Sequence, residues 1–96
     1  NTLVSPLSTD EAYNRALQVA TNLGWDIYNQ DSNTGVIEAV DTTSIMGFKD
    51  DIVIRVRSSA QGTLLDLRSV SRVGEGDLGA NAKRIGAFRD AFQQQE

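Results

Sequence analysis

Between Ile52 and Val70 the chain alternates apolar and polar residues around a single turn, a pattern that an antiparallel hairpin with one buried face satisfies. Successive strand residues point to opposite faces, so Ile52, Ile54 and Val56 fall on one side while Val53, Arg55 and Arg57 fall on the other. Ser58-Ser59-Ala60-Gln61-Gly62 supplies the turn. The alternation then resumes, with Leu65 and Leu67 on the buried side and Asp66 and Arg68 on the face of Arg55 and Arg57.

A second hairpin precedes it. Trp25 to Asn29 and the β-rich Val36 to Val40 flank Asp31-Ser32-Asn33-Thr34-Gly35, a cluster of turn formers. Ser8 and Glu11 form a capping-box pattern that opens a helix over about residues 9–23. Tyr13, Ala16, Leu17, Ala20 and Leu23 make its apolar stripe, and Gly24 stands where a left-handed C-terminal residue is wanted. Pro6 places the first residues in an extended lead-in. A closing helix is expected from Asp77, as its cap, to about Gln94, with Leu78, Ala82, Ile85, Phe88 and Phe92 inward. Gly79 and Gly86 weaken that helix, and close approach of its backbone to the sheet would account for them. The expected fold class is α+β. A four-stranded antiparallel sheet of two consecutive hairpins carries both helices on one face in the order α-β-β-β-β-α, leaving the other face polar and open.

A chain of 96 residues fits one domain over residues 1–96, with most of its apolar side chains needed for a single core. Cysteine and histidine are both absent, which removes disulfides, thiolate sites and the commonest general base and metal ligand. The net charge of −4 argues against a broad basic face for nucleic acid. No apolar run is long enough to span a bilayer, and no basic-then-apolar leader stands at the start. Opening at Asn1 is what processing or excision from a longer protein would leave.

Four groups of residues have the chemistry for a site. Asp50 and Asp51 are adjacent at a strand start and therefore diverge, so arginine-paired carboxylates fit them better than a metal site. Arg55, Arg57, Arg68 and Arg72 can gather on the open face as an anion-binding patch, or pair across strands with Asp66, Glu38 or Asp50. Ser69 to Asp77 combines serines, Arg72 and glycines just before a helix, yet fits neither phosphate-binding fingerprint. Arg72 bonding to backbone carbonyls or to Asp77, with Asn81 and Arg84 supporting the loop, is the structural alternative. Ile45, Met46 and Phe48 put three large apolar side chains in the link between the hairpins, either folded over the core or held out for a partner or membrane surface. No serine nucleophile can work here, for lack of a nucleophile elbow and of histidine. No catalytic, cofactor-binding or metal-ligating residue is expected.

Two segments carry more polar and glycine detail than folding alone requires: Gly47-Phe48-Lys49-Asp50-Asp51, and Arg68-Ser69-Val70-Ser71-Arg72-Val73-Gly74 continuing through Asp77-Leu78-Gly79 to Asn81. With Leu23-Gly24-Trp25 and Gly35-Val36-Ile37-Glu38-Ala39, they resemble the domain of unknown function 1499 family of bacterial and plastid proteins. The upstream cysteine-containing segment of many members is absent here. The resemblance implies no catalytic residue. It does imply a setting at the bacterial envelope, on its periplasmic side, or at the plastid thylakoid, linked with photosynthetic membranes, in preference to the cytoplasm. The expected function is a non-enzymatic interaction or accessory domain with a protein partner and peripheral membrane contact. Its candidate interaction residues are Ile45, Met46, Phe48, Arg57, Arg68, Arg72 and Asp77. The alternative is a module that binds a small anionic or amphipathic ligand.

Overall fold

The two hairpins form where the alternation places them. In a computed structural model describing residues 2–42, 47–72 and 78–94, β2 (Asp26–Asp31) pairs with β3 (Val36–Thr42), and β4 (Lys49–Ser59) pairs with β5 (Gly62–Ser71). Ile54 faces Leu67 and Val56 faces Leu65 across the second hairpin, and β3 joins the two by pairing with β4.

The sheet has five strands rather than the expected four. Residues 2–5, where an extended lead-in is expected, form β1 (Thr2–Ser5), which pairs antiparallel with β5 and sets Leu3 opposite Leu65. The sheet order is β1-β5-β4-β3-β2, and the chain order is β-α-β-β-β-β-α in place of α-β-β-β-β-α. Four residues give too short an alternation to stand out, and their pairing partner lies some sixty residues away in sequence. Leu3 and Ser5 point into the core while Thr2 and Val4 point out.

Helix α1 (Thr9–Asn22) starts at the expected capping box: Ser8 Oγ accepts from the Glu11 amide at 3.2 Å, and the Glu11 carboxylate accepts from the Ser8 amide at 3.4 Å. It ends at Gly24, φ +86°, whose N–H donates to the Thr21 carbonyl while Trp25 N–H donates back to Ala20. That turn drives Trp25 into the core, where it stacks on Phe88 of α2 (Leu78–Gln94) at 5.7 Å between ring centroids.

Both helices cover one face of the sheet. Ala12, Tyr13, Ala16, Val19 and Ala20 of α1, with Phe88 and Phe92 of α2, close over Ile37, Ile52, Ile54, Leu65 and Leu67. Phe88 and Phe92 are sealed from solvent, and burying each favours the fold by about 1.5–3 kcal/mol. Two expectations about α2 fail. Ala82 is exposed, and the inward position one residue earlier is held by Asn81. A Cβ on Gly86 would meet only the Arg89 guanidinium at 3.6 Å, an ordinary contact, so no close backbone approach accounts for that glycine.

Candidate functional site

Asp50 and Asp51 diverge as strand geometry requires, and their surroundings differ accordingly. Asp50 is buried on the helix-covered side. Arg84 reaches it from α2, donating from Nη2 to Asp50 at 2.8 Å, from Nε to Asp41 at 2.9 Å, and from Nη1 to Ser69 Oγ at 3.1 Å and Asn81 Oδ1 at 2.9 Å. Ser69 Oγ donates to Asn81 Oδ1 at 2.5 Å, and Asn81 Nδ2 donates to Ser71 Oγ at 3.1 Å. Every Arg84 nitrogen is thereby engaged, and the carboxylates of β3 and β4 and the hydroxyls of β5 are tied to one turn of α2. Asp50, Ser69, Ser71 and Asn81 of the signature segments are consumed in this joint. Sequence reasoning gave Asn81 and Arg84 to loop support and assigned Asp41 no role; the usable signal was that positions 81 and 84 share a helical face with Phe88.

Asp51 lies on the open face. Arg72 grips it with both ends of the guanidinium fork, Nε to Oδ2 at 2.8 Å and Nη2 to Oδ1 at 2.9 Å. These bonds hold the Asp51 carboxyl below the usual carboxylate range. Tyr28 stands beside it at 3.5 Å, and its phenol is pushed up by partial burial and by the neighbouring Asp51 charge. Arg72 thus pairs across the strands, and its amide donates to the Lys49 carbonyl; the alternative that bound its side chain to Asp77 falls outside the described residues. A carboxylate held ionised and a phenol held protonated are poorly suited to exchange protons near neutral pH.

The remaining arginines of that face divide. Arg57 donates to Asp66 at 3.0 Å. Asp66 also accepts from Thr2 Oγ1 at 2.6 Å, and the Thr2 bond first, then Arg57, draws its carboxyl down. Glu38 accepts from Asn29 at 2.7 Å. Among the described residues, Arg55 and Arg68 have no carboxylate partner. They line a groove of about 320 Å³ with Thr2, Val53, Asp66 and Leu67. Val4, Tyr28 and Val70 on the same face are each more than half exposed.

Phe48 is 48% exposed at the entry to β4. Ile45, Met46 and Asp77, with the proposed cap at Asp77, lie outside the described residues. A second cleft of about 310 Å³ is walled by Leu23, Trp25, Ala80 and Ala87, with Asp41, Lys83 and Arg84. Among the described residues, no three carboxylates gather as a metal site and no helix is long and apolar enough to cross a membrane.

The architecture is that of a small α+β domain with one covered and one open sheet face. The family model described as protein of unknown function (DUF1499) matches residues 1–92, and the chain belongs to that family. A comparison with curated proteins finds no match.

Proposed function

We propose that this chain is a non-enzymatic interaction domain whose open sheet face docks on a protein partner. An accessory role in an envelope or photosynthetic membrane assembly is the setting that the family resemblance suggests for it. One observation carries the reading: Asp50, Ser69, Ser71 and Asn81 of the signature segments turn inward to hold α2, while the opposite face leaves Arg55 and Arg68 with no carboxylate partner among the described residues, in the company of exposed Val4, Tyr28 and Val70. Exposed apolar residues grouped with arginine mark a contact surface better than a solvated one.

The test is a photo-crosslinking residue placed at Val70, at Phe48 or at Gln18 on the solvent side of α1, in a native membrane extract. A discrete adduct from Val70 and none from Gln18 is expected. Adducts from Phe48 alone would move the contact to the link between the hairpins, and no adduct at any position would overturn the reading.

A second reading, a module for a small anionic or amphipathic molecule, draws support from the Arg55 and Arg68 groove. A melting shift induced by such a molecule and lost in Arg68→Ala, with the unliganded melting temperature unchanged, would favour it.

A further inference from the structure

We infer that Arg55 and Arg68 form a two-pronged receptor for a carboxylate side chain of the protein partner, set among that partner's apolar residues. This rests on the interaction reading above and adds the chemistry of what docks. Arg55 is in register with Asp66 and Arg68 with Val53, so the two arginines are diagonal neighbours on adjacent strands of one face. Long side chains at that separation can converge on one group.

The nearest carboxylates are turned elsewhere: Glu38, across from Val53 on β3, accepts from Asn29 and forms no ion pair with either arginine. Asp66 turns to Arg57 and Thr2, and Asp51 is held by Arg72. Among the described residues on the β4–β5 half of the face, Lys49, Arg55, Arg57 and Arg68 stand against Asp66 alone once the Arg72 and Asp51 pair is set aside, leaving three positive charges on a chain of net charge −4. Guanidinium forks match the planar, two-oxygen carboxylate.

The surroundings select the source of the anion. Val53 lies between the arginines, with exposed Val70 nearby on β5 and exposed Val4 on β1, which suits an acidic residue flanked by apolar ones. Asp66, opposite Arg55 in the same groove, repels a doubly charged phosphate more than a singly charged carboxylate. Three cations outside an ion pair among the described residues of this half-face, on an acidic chain, are too few for a bilayer surface, where attraction accumulates over many basic residues.

The experiment is an amide NMR titration of the isotope-labelled 96-residue chain with an end-capped pentapeptide of alternating valine and glutamate. Its glutamine counterpart and octyl phosphate form separate arms. Shifts should centre on Val53, Arg55, Arg68 and Val70. The glutamate peptide should bind about tenfold more weakly to Arg55→Gln and to Arg68→Gln, while Arg89→Gln binds it like the parent chain. Equal shifts with the glutamine peptide, a response to octyl phosphate alone, or no shift at millimolar peptide would each overturn the inference. Val70 crosslinks that persist in Arg55→Gln/Arg68→Gln would remove this inference and leave the interaction reading standing. Absence of crosslinks from the parent chain would remove that reading itself.

Discussion

Asp50 of β4 and Arg84 of α2 meet at 2.8 Å with 5% and 8% of their side chains exposed, so the joint between sheet and helix is an ion pair withdrawn from water. Breaking a buried pair from one side leaves an uncompensated charge, which is costlier than removing both partners. Arg84→Met is expected to lower stability by about 3–5 kcal/mol, and adding Asp50→Leu should return part of that loss. Urea unfolding of the single and double variants measures both.

Asn81 bridges the hydroxyls of Ser69 and Ser71, whereas Ala82 beside it faces solvent. Asn81→Ala takes the partner from the Ser71 hydroxyl and the acceptor from Ser69, which keeps only its Arg84 bond, and should cost about 1–3 kcal/mol. Ala82→Glu should stay within about 0.5 kcal/mol of the parent chain. The reverse ranking in thermal unfolding would restore the helical face expected from the apolar stripe.

Asp51 is held ionised by Arg72, and the sign of its pH effect follows. A carboxyl whose folded value lies below its unfolded one, near ~3.9, adds stability above the unfolded value and loses it as pH falls through the folded value. Carboxyl NMR should place Asp51 below a free aspartate, and Arg72→Gln should move it back up and flatten the acid limb of stability. Asp66 should behave likewise when Thr2→Val removes the leading bond to its carboxylate.

Gly24 and Gly35 both sit at positive φ, at +86° and +73°, but only one is confined. A Cβ at Gly24 meets open space, while one at Gly35 would collide with the Val56 carbonyl oxygen. Gly24→Ala should cost about 1–2 kcal/mol, the price of a left-handed alanine. Gly35→Ala should cost more, about 3 kcal/mol or above, because β4 must also shift. Differential scanning calorimetry of the two variants settles the order.

What the sequence made legible was local or periodic. The Ser8 and Glu11 cap and the left-handed Gly24 are encoded within a turn of the residues they serve, and both hairpins follow from alternation across short turns. The divergence of Asp50 and Asp51 followed from the strand period alone. β1 was missed because its pairing with β5 joins the two ends of the chain. Arg84 was misread because an inward arginine is stabilised by Asp41 and Asp50, which lie more than thirty residues upstream and carry no periodic mark. Arg72 was offered either groups in its own loop or a carboxylate across the strands, and the partner across the strands is Asp51, one of the two carboxylates expected to be arginine-paired. For the candidate site, the open face and its arginines were legible, but which of them lack a carboxylate depended on side-chain pairing: among the described residues Arg57 and Arg72 are committed, and Arg55 and Arg68 remain.

If the inward polar residues hold the fold and the outward face meets the partner, the two sets of substitutions must separate. The most direct measurement sets the yield of the Val70 crosslinked adduct beside the melting temperature in Arg55→Glu/Arg68→Glu and in Arg84→Met. The first chain should keep the parent melting temperature and lose the adduct. The second should melt lower and, at a temperature where it remains folded, still form the adduct. An adduct that survives charge reversal at Arg55 and Arg68, or one lost from folded Arg84→Met, would contradict this division of roles.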